Sequence, residues 1–453
     1  VQDAEDLDDY FNNVDALAED IHELLPDLPF IDQDLIQDLG AALNCMDAVL
    51  TPPTPSNNFE DCQDDMEEAV CALSDFISNL YDSDYQVVFY EEDGQNYDFD
   101  IQEYAIHQEN YDQIESIANE PYSVPWKSVK TNDADPVNAK RADNTGIADI
   151  IFKDVEENEI TSTIIPNTDD HKQIRPVGAK SHGDIKEVYA IQPPANGEEQ
   201  IHIAGKLNVI SYDHQSIDVA IVPVGNGVSI PGNLGQDISD IFGQAVTSVN
   251  LSQVNGFTYP TPNPFPDEES GWLSAYTPEM NSIISAFKDY HNHSNDIYYI
   301  FVLPVTNTSG LKRGFMPKKR NFGFIFYNAT NGLSTDSDAL SKTIAHELGH
   351  GAFVLEHTFE TYPSNPELQG GTPSDNLMDY GNAGTLLRKY QWDLIHDPAS
   401  NFTLFDSDQE SENGLLVAEE DLNLGSGQLT YVPWTPNRPF LTPSGVAVRS
   451  PNI

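Results

Sequence analysis

Residues 337–357 read SDALSKTIAHELGHGAFVLEH, and this stretch decides the fold. It is predicted to be a helix, because Ser337 or Asp338 can cap its first turn. His346 and His350 stand four residues apart, so their side chains leave one face of that helix one turn apart. Two imidazoles so placed can bind one metal ion, and Glu347 beside the first can take a proton from an attacking water.

A zinc site of this kind needs a third protein ligand, and the sequence offers two adjacent candidates. Glu356 follows His346 by ten residues and His357 follows it by eleven. In an unbroken helix His357 would lie about 16 Å along the axis and could not reach the metal. The chain must therefore turn back after the motif, and Gly349 and Gly351 are the local residues that make such a turn easiest.

Together with the residues that follow it, the motif resembles the metzincin metalloproteases, and most closely the cytophagalysin or pappalysin-like group. That group typically reads HExGHxxGLxHTF and then NxMDY. This chain reads HELGH at 346–350, EHTF at 356–359 and NLMDY at 376–380, so the resemblance covers about 206–400. The family glycine is replaced by Phe353, and the last histidine comes one residue late.

The resemblance implies a zinc-dependent endopeptidase that acts on a protein or peptide substrate. If HTF sets the alignment, Zn²⁺ is held by His346, His350 and His357, and Glu347 is the general base that activates a zinc-bound water. If strict spacing sets it, Glu356 replaces His357 as the third ligand.

The resemblance also assigns roles to residues further along the chain. Met378 would form an apolar floor in a tight turn beneath the metal, and Asp379 would either belong to that turn or hydrogen-bond to a metal ligand. Tyr380 matches a tyrosine that steadies the transition state in some metzincins, with a purely structural hydroxyl as the alternative. The stretch 314–328 would line the cleft and pair with an extended peptide, unless it is an internal strand.

Outward from the motif, alternating strands and helices predict an α/β (α+β) fold, and the resemblance implies a metzincin-like domain with a twisted, mostly parallel sheet. Two helices are predicted in LGQDISDIFGQAVTSV (234–249) and YTPEMNSIISAFKDYHN (276–292), and a strand buried on both faces in DIYYIFVLPV (296–305). The predicted organisation is an acidic helical region, a linker, a small β module, the catalytic domain and an acidic, then Pro/Gly/Ser-rich tail: 1–125, 126–145, 146–205, 206–400 and 401–453.

Charge excludes two classes of partner. The chain has 453 residues, with 74 acidic and 21 basic residues and a formal net charge of −53. Residues 1–126 hold 33 of the acidic residues and no Lys or Arg. Such a chain is repelled by nucleic acid and by anionic membranes, and the absence of a long apolar stretch predicts no membrane insertion. An acidic surface that stays soluble in salt suits a secreted, extracellular protein of bacterial origin.

The acidic N-terminal region suggests a zymogen, in which this region covers the cleft as an inhibitory pro-domain. Deleting 1–145 is then expected to raise activity. Cys45, Cys62 and Cys71 allow one disulfide with one thiol left over, or three reduced thiols. Two other functions stay open: a protease module of a larger secreted toxin or adhesin carrier, acting in self-processing or as a delivered effector, and a vestigial metal-binding scaffold.

Overall fold

The computed structural model describes most of the chain between residues 29 and 398, and a short hairpin near the C-terminus. Tyr380 and nearly all of the predicted tail lie outside the described residues. The described residues are 29–30, 33–50, 59–92, 94–101, 111–168, 170–194, 201–266, 276–308, 312–329, 332–358, 375–379, 384–398, 440–441 and 447–448.

The described residues form a mixed α/β structure with several sheets and few helices. The helices are α1 (Gln33–Leu50), α2 (Phe59–Leu80), α3 (Leu234–Gly243), α4 (Pro278–Tyr290), α5 (Ser337–Phe353) and α6 (Lys389–His396). The strands are β1 (Val87–Tyr90), β2 (Phe99–Asp100), β3 (Gln113–Ile117), β4 (Glu120–Ser123), β5 (Trp126–Lys130), β6 (Val137–Arg141), β7 (Ile151–Asp154), β8 (Ser162–Ile164), β9 (His171–Ile174), β10 (Ile185–Gln192), β11 (His202–Tyr212), β12 (Gln215–Pro223), β13 (Thr247–Gln253), β14 (Ile297–Leu303), β15 (Gly314–Phe315), β16 (Phe322–Phe326), β17 (Phe440–Leu441) and β18 (Ala447–Val448).

A five-stranded sheet with the order β13-β12-β14-β16-β15 carries the HELGH helix. The first four strands run parallel and β15 is antiparallel to β16, so the prediction of a mostly parallel sheet is confirmed. Strand β14 is buried on both faces, as predicted: Ile300 and Val302 point to one side, and Tyr299 and Phe301 to the other.

Helices cover both faces of this sheet. On one face α3 and α5 share an apolar core with the sheet, to which Ile238 and Leu348 belong. On the other face α4 contributes Ile283 and Phe287 to a second core. The sheet is therefore the middle of three layers, which fixes α5 rigidly against it.

One predicted helix is shorter than expected. The stretch 234–249 was predicted to be helical throughout, but α3 ends at Gly243 and a strand starts at Thr247. Val246 adopts a left-handed backbone with φ 55°, which ends the helical path. The residues that follow pair with β12 in parallel, so sheet pairing outweighs the helical pattern.

Residues 87–212 form a β sandwich that is larger than the predicted small β module. Its two sheets have the orders β1-β6-β9-β8 and β2-β5-β11-β10-β7. Side chains of both sheets meet in one core, to which Val137, Phe152 and Leu207 belong. Residues 146–205 do form β structure, as the predicted β module requires: they hold β7 to β10 and the start of β11, which runs on to Tyr212.

The predicted linker at 126–145 is wrong, because this stretch supplies β5 and β6. Strand β5 lies between β2 and β11, and β6 lies between β1 and β9, so both are inner strands. Lys127 and Asp135 explain why the alternating apolar pattern of buried strands is missing from the sequence here. Both are charged residues with fully buried side chains, and they form an ion pair of 2.6 Å. Likewise, the region before 126 is helical only to residue 80 and then turns to strands.

The helices α1 and α2 form a pair that is joined by a Cys45–Cys62 disulfide, while Cys71 is an exposed free thiol. Of the two alternatives, the structure therefore has one disulfide and one thiol, which is consistent with an extracellular setting. Leu80 at the end of α2 packs into an apolar cluster of the β sandwich. Among the described residues, no helix has both the length and the apolar character needed to cross a membrane.

Candidate metal centre

Helix α5 carries the first two histidines, and its N-terminus is capped by a side chain. Its cap is Asp336, one residue before the predicted Ser337, and its carboxylate accepts the N–H groups of Asp338 (3.0 Å) and Ala339 (3.1 Å). The helix then runs through the core with nearly every residue buried, so the side chains of His346 and His350 have little freedom.

The turn after the helix differs from the prediction. Gly349 and Gly351 lie inside α5, and the chain reverses at Val354, whose φ is 58°. The N–H of Val354 bonds to the His350 carbonyl (3.2 Å) and that of Leu355 to the Gly349 carbonyl (2.9 Å). A left-handed backbone costs a β-branched residue about 1–2 kcal/mol, which this buried segment must offset elsewhere.

The two glycines instead allow close packing around the histidines. A Cβ at Gly349 would lie 2.7 Å from the Met378 sulfur, and one at Gly351 would lie 2.6 Å from Cγ of Met316. Real Cβ atoms do not approach sulfur or carbon so closely. At both positions glycine leaves room for a methionine side chain that a Cβ would displace, and neither glycine makes the turn.

The reversal at Val354 brings a third imidazole beside the first two. The Nε2 atom of His346 lies 3.1 Å from Nε2 of His350 and 3.3 Å from Nε2 of His357. These three residues, the histidine triad, form a group that can hold a metal ion. His357 is fully buried, and the Glu356 carboxylate instead pairs with the Lys318 ammonium at 2.9 Å.

The protonation of the imidazoles fits a cation. Nδ1 of His346 bonds to the Leu377 carbonyl (2.9 Å), and Nδ1 of His350 bonds to the Leu355 carbonyl (2.8 Å). A carbonyl oxygen only accepts, so each Nδ1 carries the proton and each Nε2 presents a lone pair. Lone pairs that face one another at 3.1 Å repel unless a cation lies among them.

The spacing and the pKa values agree with this interpretation. Tetrahedral coordination at about 2.05 Å would place ligand nitrogens about 3.3 Å apart, close to the distances found. Burial, with repulsion from His357, lowers the pKa of His346 to about 3. Burial also lowers the pKa of His357 to about 4 and that of His350 well below its usual value. All three are neutral at pH 7, the form that binds metal.

Glu347 follows His346 in α5, and its side chain contacts the last described strand of the sheet. Its side chain is buried and rests on the backbone of Gly314 in β15, where a Cβ would lie 2.7 Å from the Glu347 carboxyl carbon. The stretch 314–328 contains two strands: β16 is an inner strand, whereas β15 is the last strand of its sheet within the described residues.

The segment 375–379 lies beneath the triad. Met378 is fully buried, and its N–H bonds to the Asn376 side-chain oxygen at 2.9 Å. The Thr358 hydroxyl donates to the Asp379 carboxylate, which ties the His357 segment to this turn. Asp379 therefore does belong to the turn, as expected, while Tyr380 lies outside the described residues.

Comparisons with known proteins add little to this geometry. No protein-family model and no curated protein sequence matches the chain. Among solved structures, Dex49A from Penicillium minioluteum is similar at 11% identity, with a TM-score of 0.14. The match covers 41% of this chain and 32% of that one, so the chain spans about a third of its length. So low a TM-score bears on neither fold nor function.

Two neighbours of the triad were not found from the sequence. Lys342 lies one turn before His346 on α5, and burial lowers its pKa to about 8 while Asp379 raises it. Gln391 of α6 exchanges two amide hydrogen bonds with Asn376, at 2.8 and 3.1 Å. Lys342 could have been found only from its helical spacing to His346. No local pattern in the sequence indicates Gln391.

Proposed function

We propose that the chain is a zinc-dependent metalloendopeptidase with a metzincin-like catalytic domain. The observation that carries the proposal is the convergence of three imidazoles, from His346, His350 and His357, at a helix in which the next residue after His346 is the buried Glu347. Zinc fits this donor set, because it favours tetrahedral sites with nitrogen ligands and keeps one position open in catalytic sites. The reversal after α5 and the methionine turn further support the resemblance.

The protein's own residues have separate tasks in the proposed reaction. Bound zinc would act as a Lewis acid that polarises the scissile carbonyl and activates water. Glu347 accepts the proton of the attacking water and delivers it to the leaving amine, which conserves protons over the cycle. In this proposal an extended peptide pairs with β15, the last strand of its sheet among the described residues, and lies alongside Glu347.

The deciding experiment replaces Glu347 by Gln and measures bound zinc and casein digestion. The substitution keeps shape and ligands but removes the base, so zinc should stay bound while turnover falls by about 10²–10⁴-fold. Glu356→Gln is the matched control, since it changes a carboxylate that pairs with Lys318 and should keep both zinc and most activity.

Turnover like that of the wild type in Glu347→Gln would contradict the role of Glu347. A wild-type chain with neither zinc nor activity would favour the vestigial scaffold. Cleavage confined to one fixed internal site of the chain itself would instead favour a self-processing module. The secreted location is proposed with the enzyme, since the disulfide suits an oxidising compartment.

A further inference from the structure

A buried carboxylate of the β sandwich contacts the segment that lies next to the metal centre. Asp100 of β2 is fully buried. Its oxygens accept a hydrogen bond from Nη1 of Arg388 (3.1 Å), the backbone N–H of Lys389 (2.8 Å) and the Tyr111 hydroxyl. Arg388 directly precedes α6, and it is also buried.

From Arg388 the hydrogen bonds continue to the floor of the triad. The Arg388 N–H bonds to Oε1 of Gln391 at 2.8 Å, and the same oxygen accepts from the Asn376 amide at 2.8 Å. The Asn376 oxygen accepts the N–H of Met378 at 2.9 Å. The carbonyl of Leu377, between Asn376 and Met378, is the group that bonds to Nδ1 of His346.

A second route joins the same two regions through Gln244. Its backbone carbonyl accepts from the Ser128 hydroxyl of β5 at 2.6 Å. Its side chain donates to the Thr385 carbonyl (2.7 Å) and accepts the Leu387 N–H (2.9 Å). Leu386, between these two residues, pairs with the metal-centre segment through its carbonyl and the N–H of Leu377, at 2.8 Å.

Most groups of the first route are buried, whereas Gln244, Thr385 and Leu386 of the second route are half-buried. A bond lost along the first route therefore leaves a polar group that water hardly reaches. Removing the Asp100 charge would leave the Arg388 guanidinium buried beside a neutral amide. That guanidinium would then shift, and the backbone at 388–389 with it, because Asp100 also holds the Lys389 N–H.

We propose that the β sandwich is a built-in support of the metal centre, in which Asp100 and Arg388 are positioning residues. They hold the segment 375–379 so that the Leu377 carbonyl orients the imidazole of His346. The inference rests on the proposed function only for the identity of the metal. It adds that residues 87–212 are part of the active unit and not a removable cover.

The test compares full-length Asp100→Asn with the wild type in two measurements. In the metal-free protein, amide hydrogen exchange at Leu377 and Met378 should be at least about tenfold faster in the variant. In the second measurement, zinc should bind about five- to tenfold more weakly, and the visible spectrum of the Co²⁺-substituted protein should shift.

Asp135→Asn is the matched control. It also breaks a fully buried ion pair of the β sandwich, with Lys127, but neither residue has a hydrogen bond to the described residues of 375–391. This variant should be less stable than the wild type. Its exchange rates at Leu377 and Met378 and its zinc Kd should nevertheless stay within twofold of the wild-type values. If Asp100→Asn does not fold, Tyr111→Phe removes one of the three bonds and should give a smaller change in the same direction.

Unchanged exchange and unchanged zinc Kd in both Asp100→Asn and Tyr111→Phe would overturn the inference. Equal changes in Asp135→Asn would also overturn it, because they would show a general loss of stability. A wild type that binds no zinc would contradict the proposed function instead, and the exchange rates of the metal-free protein would still decide the role of Asp100.

Discussion

Val354 determines whether a third imidazole can join the other two. Without its left-handed backbone, α5 would carry His357 away along the helix axis, as the sequence argument requires. The turn also leaves the Leu355 carbonyl facing Nδ1 of His350, so one reversal both delivers a ligand and orients another. The strain at Val354 therefore lies at a site where it has a function.

The choice of third ligand leads to a prediction about His357 and its neighbour. Replacing His357 by Ala should lower bound zinc from about one ion per chain to a trace, because two imidazoles hold zinc weakly. Glu356→Ala should retain the zinc, since the Glu356 carboxylate pairs with Lys318. Elemental analysis of both variants, with casein digestion alongside, is the measurement. Zinc kept in His357→Ala and lost in Glu356→Ala would reverse the assignment.

The sequence predicted those parts of the site that depend on local spacing. His346 and His350 follow from helix geometry alone, and His357 and Met378 follow from the resemblance. The reversal itself was predicted, but its position at Val354 was not, because valine rarely adopts a left-handed backbone and Gly349 and Gly351 are the residues that would make such a turn easiest. Asp100 could not be predicted either, since it meets Arg388 only through the packing of the β sandwich on α6.

Among the secondary structure elements, those with a strong local pattern were predicted and those without one were missed. Helix α4 and strand β14 were predicted, because their apolar periods are strong and need no distant partner to be recognised. Strands β5 and β6 were missed, because buried polar residues such as Lys127 and Asn138 break their pattern. Each pairs with a strand far along the chain, β11 and β9, so the pairing that stabilises them leaves no local trace.

The contact between α6 and the end of β11 gives a prediction about pH. His396 stacks on Tyr212 with ring centroids 4.3 Å apart and bonds to the Ala245 carbonyl at 2.6 Å. Burial, with nearby His182, lowers the His396 pKa to about 4, whereas the unfolded chain has a pKa of about 6.5. Between these values only the unfolded state binds the proton, so the free energy of unfolding falls as pH falls from 6.5 to 4.

His396→Gln keeps a donor for the Ala245 carbonyl but removes the titrating group. The loss of stability between pH 7 and pH 4.5 should be smaller in this variant by about 1–2 kcal/mol, after allowance for partial exposure. Urea unfolding at several pH values measures this, and the metal ligands contribute equally to both proteins. Parallel pH profiles would show that His396 titrates alike in the folded and unfolded states.

In the whole molecule, residues 1–145 contribute to two structures. The helices α1 and α2 pair with each other and meet the β sandwich through Leu80. Strands β1, β2, β5 and β6 lie in the sheets of the sandwich, and Trp126 of β5 shares a core with Trp392 of α6. A deletion of 1–145 therefore tests something other than inhibition, since it removes inner strands that the rest of the fold requires.

Two deletions distinguish structural support of the metal centre from inhibition of the enzyme by the N-terminal helices. Removing 1–145 should give a chain that does not fold, because β9 loses its neighbour β6, β11 loses its neighbour β5, and the core that includes Val137 is opened. Removing 1–82 should leave a folded, zinc-binding protein, with a cost of about 1–3 kcal/mol for losing Leu80 from its cluster. Circular dichroism, zinc content and casein digestion distinguish the cases.

Higher activity in the shorter deletion would support inhibition by the helical pair, and unchanged activity would contradict it. A folded, zinc-binding product of the longer deletion would show that the metal centre does not need the complete sandwich.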